Sequence, residues 1–232
     1  MNGLTIVIPS RNATNLAVCV GAIREAGETC RIIVVDDGID WHQFVSLDLV
    51  RPEAKTEEIM DNAIAAPKGF QFSRNVNMGI RAAGTDDVVI CNDDALLQSH
   101  GGFSLLQAEQ LRHPEFAIIG ATTQVTGQPL QFRRPSGGGL RMVPHLAFVC
   151  VYIPRSTLNR DDIGYLDERY ICGSEDRDYC QAVNAAKMLV GVHDGCYVDH
   201  GSLVSTVRGP GGSGYDSKGA ETFAAKWGGR TK

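Results

Sequence analysis

Short apolar runs that stop at polar clusters set the rhythm of the first half of the chain. "LTIVIP" (Leu4 to Pro9), "RIIVVDDG", "VVIC" and "FAIIGA" are unbroken, rich in β-branched residues and of strand length. Between them the apolar positions recur at helical spacing. "NLAVCVGAIREAG" sets Leu16, Val20 and Ile23 on one face, Phe70 to Ala83 reads as helical from about Ser73, and "FSLLQAEQLRHP" is stopped by Pro114. The stretch between the second strand and Phe70 fits neither rhythm. Strand alternating with helix predicts a parallel sheet with crossover helices.

From Thr123 the pattern changes. Turn residues in "TGQP" and "PSGGG" interrupt short strands, "LAFVCVYIP" predicts a longer strand, and "SEDRDYCQAVNAAK" predicts a helix with Tyr179, Val183 and Ala186 on one face. A glycine-rich loop, "RGPGGSGYDSKG", then leads to a short helix, "AETFAAKWG". There is no internal repeat and no second core. One α/β domain over residues 1–205 is expected, followed over 206–232 by a glycine-rich lid loop, drawn from Gly201 to Gly219, and a C-terminal helix.

Composition narrows the class. With 43% hydrophobic and 21% charged residues over 232 positions the chain reads as globular, and no apolar run approaches the roughly 20 residues of a membrane span. The start, "MNGLTIVIPSRN", lacks the basic and long apolar regions of a signal peptide, so a cytoplasmic location is expected. Seven scattered cysteines without a C-x-x-C pair read as reduced, mostly buried thiols. A formal charge of -5 argues against a general nucleic-acid binder.

Three polar clusters follow strands: "PSRN" (Pro9 to Asn12), "DDG" (Asp36 to Gly38) and "NDD" (Asn92 to Asp94). In open parallel sheets ligands bind beyond the carboxyl ends of the strands. Each cluster alone reads more readily as turn and cap residues. Together they crowd carboxylates that repel unless a cation lies between them, and a hard ion such as Mg²⁺ or Mn²⁺ accepts oxygen ligands. No G-x-G-x-x-G follows the first strand and no P-loop occurs, so a diphosphate would be held by metal rather than by a glycine loop. Arg74, near a helix start, offers forked donors to phosphate, or is a surface arginine.

In order and approximate spacing, "TIVIPSRN", "IIVVDDG", "SRNVNMGIRAA", "VVICNDDALL", "IGYLDERYICGSEDRDYC" and "VDHGS" resemble the inverting, GT-A-fold glycosyltransferases of family 2, the group that includes rhamnosyltransferase-like enzymes. The resemblance runs from Thr5 to about Ser205. It implies a mostly parallel central sheet with flanking helices and a nucleotide-sugar donor lying across the sheet edge. Asn92 and Asp94 match the first and third positions of a D-x-D-type metal motif, with Asp94 the direct ligand and His200 completing the shell. Pro9, Arg11 and Asn12, with Asp36 or Asp37, match segments that hold the base and ribose, and Arg74, Asn77 and Asp93 complete the nucleotide-sugar set. Asp176 matches the general base, beside Glu175. A histidine ligand favours Mn²⁺ over Mg²⁺; His193 is a nearby competitor for that role. A carboxylate at Asp37 accepts from a pyrimidine N3–H, which points to a UDP- or dTDP-linked hexose or deoxyhexose.

The chemistry is consistent without the resemblance. An oxocarbenium-like state needs charge neutralised on the leaving diphosphate and a base on the opposite face. Like-charge repulsion from Glu175 would raise the Asp176 pKa. The plainer alternative makes both acids first-turn residues behind an N-cap Ser174. "FRRPSGGGLR" places Arg133, Arg134 and Arg141 among glycines, either as a solvated basic loop or facing an anionic acceptor such as a lipid phosphate or nucleic-acid backbone. A glycan, glycolipid or other hydroxyl acceptor is favoured over a nucleic acid. The rivals are a glycosyltransferase acting on modified DNA bases, a nucleotidyltransferase, whose basic glycine loop "PSRNATN" lacks, and a non-catalytic nucleotide-sugar-binding module. Trp227 reads as a core anchor more readily than a ligand platform.

Overall fold

The apolar runs pair in parallel. In the structure, a computed structural model that describes residues 2–48, 56–134, 137–203 and 217–228, the chain first forms β1 (Leu4–Ser10), α1 (Ala13–Glu25), β2 (Arg31–Asp36), α2 (Trp41–Asp48), α3 (Thr56–Asp61), β3 (Ala63–Ala65), α4 (Phe72–Ala82) and β4 (Asp87–Cys91). The stretch that fitted neither rhythm thus holds α2, α3 and β3. The four strands lie in the order β3-β2-β1-β4, all parallel, and Ser10 sits opposite Asp36 so that β1 and β2 end level.

Alternation along these strands feeds two cores. Ile6, Ile8, Ile32 and Val34 pack with Leu16, Val20 and Ile23 of α1. Their neighbours Val7, Ile33 and Val35 point to the other face and pack with Val76 and Ile80 of α4. Both faces are covered, which is why these strands read as continuous apolar runs.

The second half is mixed. It comprises β5 (Leu96–Leu97), α5 (Gly102–Arg112), β6 (Phe116–Thr122), a 3₁₀ turn (Pro129–Gln131), β7 (Leu140–Met142), β8 (Cys150–Ile153), α6 (Arg155–Leu158), α7 (Glu175–Ala185), β9 (Leu189–Asp199) and α8 (Ser217–Trp227). β8 inserts antiparallel between β4 and β6, β9 runs parallel to β6, and β5 and β7 add antiparallel to β9. The sheet is mostly parallel: β1, β2, β3, β4, β6 and β9 run one way. Gly101 enters α5 in a left-handed conformation without a side-chain cap. Glu28 takes that role from outside the helix, accepting from Phe103 N at 2.7 Å and from Ser104 N at 3.0 Å.

Two expectations change. "LAFVCVYIP" is strand only from Cys150, because the Gln131 side chain donates to Ala147 O and accepts from Ala147 N, while Leu146 N donates to Cys180 Sγ. Those backbone groups are engaged away from a ladder. The long strand β9 was not anticipated, since glycines and the His193–Asp194 pair interrupt its apolar pattern. The expected lid falls mostly on residues 204–216, which lie outside the described residues.

Gly79 sets how closely α4 approaches the sheet. A Cβ there would lie 2.2 Å from Val7 Cγ1. Gly79→Ala should therefore destabilise by about 1–2 kcal/mol net, overpacking outweighing the gain in helix propensity. Urea denaturation checks this, and an unchanged or raised midpoint would mean that α4 has room to spare.

Candidate functional site

Level strand ends bring the first two polar clusters together. Pro9 is buried within β1. Asn12 caps α1, its side chain accepting from Asn15 N at 3.0 Å. Asp36 is engaged by its own turn: Oδ1 accepts from Gly38 N and Ile39 N at 2.8 and 2.7 Å, and Oδ2 from Trp41 Nε1 at 2.7 Å. Asp37 is free of that task. Its Oδ2 is buried without a hydrogen-bond partner among the described residues, 3.8 Å from Arg11 Nε. Burial raises the Asp37 pKa, against the pull of Arg11 and Arg74. Arg11 itself lies over the Phe70 ring at 5.6 Å. Of the two acids in "DDG", Asp37 is the one whose Oδ2 the turn leaves without a hydrogen bond among the described residues.

The third cluster is a reverse turn. Ala95 N donates to Asn92 O at 3.0 Å, Asn92 N to Val149 O at 3.0 Å, and the thiols of Cys19 and Cys91 lie 3.5–3.6 Å from Asn92 O and Ala95 O. The turn sends its two acids in different directions. Asp93 reaches back to β1, where Ser10 Oγ donates to it at 2.6 Å. Burial, opposed by that bond and aided by Asp94, pushes its pKa to about 6. Asp94 goes forward to β9. Because Leu96 pairs with Asp199, His200 arrives beside Asp94, with Nε2 3.3 Å from Oδ1.

The imidazole's other nitrogen, Nδ1, lies 2.9 Å from Val125 O. A carbonyl only accepts, so Nδ1 carries hydrogen and Nε2 faces the Asp94 carboxylate. Two lone-pair donors at that distance require a proton or a cation between them. This donor set, one carboxylate oxygen and one imidazole nitrogen, suits Mn²⁺. Among the described residues no group of three or more metal-ligating side chains is gathered. Diphosphate and water would have to supply the other positions.

The segment before β8 runs from here to the second acidic centre. At one end Val149 O meets Asn92; at the other Leu146 N meets Cys180 on α7. The charge of His145, on this segment, lowers the Asp176 pKa, but burial is the larger effect and the net shift is upward. Sequence reasoning missed His145, and nothing in its immediate sequence marks it. Glu175 is pushed to about 7, by burial first and by Asp176 second. The expectation that Glu175 chiefly tunes Asp176 therefore changes: burial dominates both, and the like-charge effect is resolved on Glu175. Glu175 Oε2 is buried without a partner among the described residues, whereas Asp176 Oδ1 accepts from Arg177 N at 2.6 Å. Ser174 is no side-chain cap. It sits at φ 70°, a left-handed conformation that strains a non-glycine residue.

Several other expected residues are engaged elsewhere. Asn77 is buried, donating to Leu166 O at 2.8 Å and Glu168 Oε1 at 2.9 Å while accepting from Leu166 N at 3.0 Å. Its amide holds the loop at Leu166 and Glu168. Arg74 Nη2 donates to Pro67 O and Gly69 O at 2.9 and 2.7 Å, though its charge is felt at Asp37. Arg134 and Arg141 pair with buried Asp194 at 2.7 and 3.4 Å, and Arg133 lies over Tyr197 at 5.0 Å. The basic loop is thus ion-paired rather than simply solvated. His193 Nδ1 accepts from Gly195 N at 3.0 Å, away from Asp94.

Comparison with known proteins bears on this edge. The family model described as glycosyl transferase family 2 matches residues 5–164. No curated protein matches the chain. The structure is similar to that of GalNAc-T7, determined with UDP, GalNAc and Mn²⁺, with a TM-score of 0.65 and 12% identity over 86% of this chain and 44% of that one. It is also similar to S. aureus TarS 1-349, with a TM-score of 0.59 and 14% identity over 84% of this chain and 60% of that one. The chain thus spans about half the length of these solved neighbours. Their likeness shows the fold, GT-A.

The raised Glu175 pKa has a sign. Between the ordinary 4.5 and about 7 the folded protein keeps a proton that the unfolded chain has released. This contribution to stability is full below the unfolded value and is lost as pH rises through the folded one. Glu175→Gln removes the loss. Its thermal midpoint relative to the parent should rise between about pH 5 and about pH 8; a constant difference would show that Glu175 titrates normally.

Proposed function

The chain belongs to glycosyl transferase family 2, and from that premise we propose that it is a metal-dependent, inverting transferase acting on a nucleotide-diphosphate sugar and a hydroxyl acceptor. The observation that carries the reading is the separation of two acidic centres, Asp94–His200 after β4 and β9 and Glu175–Asp176 at the start of α7. Leaving group and nucleophile would be served by different carboxylates.

Asp37, with Arg11 beside it, would receive the base, and Asp93, hydrogen-bonded to Ser10, would keep the two strand ends together. A UDP- or dTDP-linked hexose or deoxyhexose is favoured, since a carboxylate at Asp37 accepts from a pyrimidine N3–H. The Mn²⁺ and UDP in the GalNAc-T7 structure are in keeping with this. Asp94 and His200 would hold the ion, with Asn92 at the turn's first position. When bound, the ion supplies charge neutralisation for the departing diphosphate. Asp176 would take the proton of the incoming hydroxyl, from a glycan or glycolipid in a rhamnosyltransferase-like reaction. Free cysteines suit a reducing cytoplasm. No described helix is long and apolar enough to cross a membrane.

One observation favours a second assignment within the same reaction: the open oxygen of the acidic pair belongs to Glu175. Parallel variants decide between them. Asp176→Asn should lower transfer by about 10²-fold or more with donor binding near that of the parent, and Glu175→Gln should do less. The reverse order makes Glu175 the base, donor binding without hydrolysis or transfer and unaffected by Asp176→Asn supports a non-catalytic binding module, and a retained anomeric configuration in the product excludes single displacement.

Asp94→Ala should abolish Mn²⁺-dependent UDP binding in calorimetry while leaving the thermal midpoint of the ligand-free protein close to that of the parent. Full activity in excess chelator would rule out the metal reading.

A further inference from the structure

The acidic run of α7 has a third member that the proposed chemistry does not use. Asp178 lies two residues beyond Asp176, about 200° round the helix. It is buried and fully engaged. Its Oδ1 accepts from Trp227 Nε1 at 2.7 Å and Tyr170 OH at 3.1 Å, and its Oδ2 from Lys226 Nζ at 2.8 Å. Lys226 Nζ also donates to Asp167 at 2.9 Å. Asp167 is held well below the usual carboxylate range, first by Arg169 and then by Lys226.

These contacts fasten α8 across the start of α7. A Cβ on Gly219 would lie 2.3 Å from Gly173 O and 3.6 Å from Ser174 Oγ, so the beginning of α8 presses on the turn that precedes the acidic pair. Further along, Phe223 lies under the Arg177 guanidinium at 4.1 Å. Contact is therefore made at Gly173 and Ser174 on one side of Glu175–Asp176 and at Arg177 and Asp178 on the other. Ser174 has to be held left-handed against its own preference, and α8 is the element packed on it.

We propose that Asp178, Lys226 and Trp227 form a positioning latch that holds the Glu175–Asp176 pair in its half-buried setting. The latch touches no substrate and acts through the first turn of α7. Among the described residues, Arg177 on the same helix and His145 on the segment before β8 also place charge at the pair. The part of this inference that concerns turnover rests on the reading of the pair as the acid–base centre. The part that concerns the setting of the pair does not.

The test uses the full chain with Trp227→Phe, which keeps most of the volume but loses Nε1–H, with Lys226→Gln, and with Lys226→Arg as the conservative control. Carboxyl ¹³C NMR titration follows Glu175, assigned with Glu175→Gln. The expected result is a Glu175 midpoint that falls from about 7 toward the ordinary carboxylate range in the first two variants and stays near the parent value in Lys226→Arg. UDP binding with Mn²⁺ should remain within about two-fold, while UDP release from a UDP-hexose should slow about 10-fold, the scale expected when a reacting group is misplaced. An unmoved Glu175 midpoint in a variant that is folded by circular dichroism overturns the latch. If Trp227→Phe does not fold, Lys226→Gln, whose parent side chain is partly exposed, decides. A parent chain with no turnover on any UDP- or dTDP-sugar would refute the transferase reading instead, and the titration would still decide the latch.

Discussion

The reverse turn from Asn92 to Ala95 is the constraint on which the site depends. A continuing strand would alternate its side chains across the sheet, and Asp93 and Asp94 would be separated by a wall of backbone. The turn instead sends one acid back to Ser10 on β1 and the other forward to His200 after β9. Its own backbone is held by Val149 O and by two thiols. That support has to be rigid, because buried carboxylates tolerate little displacement from their partners.

A division of labour follows at the strand ends. The end of a strand needs an acceptor for the N–H groups of the turn that follows, and a ligand needs a carboxylate with open lone pairs. In "DDG" Asp36 serves the turn while Asp37 Oδ2 has no hydrogen-bond partner among the described residues; in "NDD" Asp93 ties two strands together and Asp94 meets His200. At α7 the division differs, with Asp176 accepting from the backbone and Glu175 Oε2 left without a partner.

This explains what was legible in the sequence. The strands β1, β2, β4 and β6 were visible because burial on both faces leaves unbroken apolar runs, and the acids after them because polar residues end such runs abruptly. Which acid of each pair the turn engages was not visible, since a backbone rotation in the turn decides it. Strand β9 was hidden because its interior charge, Asp194, is matched by Arg134 and Arg141 from a distant loop. The partners of Asn77 were hidden for a related reason. A polar residue on a helix looks available until a remote segment, here Leu166 to Glu168, takes both ends of its amide. The role of Asp178 was likewise invisible, as it depends on α8 returning to α7.

The two-residue ladder between β5 and β9 has a consequence for the order in which the molecule is made. It joins Asp94 to His200 across about a hundred residues of chain, so closing it carries a large loop entropy and awaits the last strand. The strand ends that carry Ser10, Asp37 and Asp93 all emerge from the ribosome long before His200 does. During synthesis the nascent chain therefore passes through a stage in which the strand ends bearing Ser10, Asp37 and Asp93 have been made and the imidazole that meets Asp94 has not.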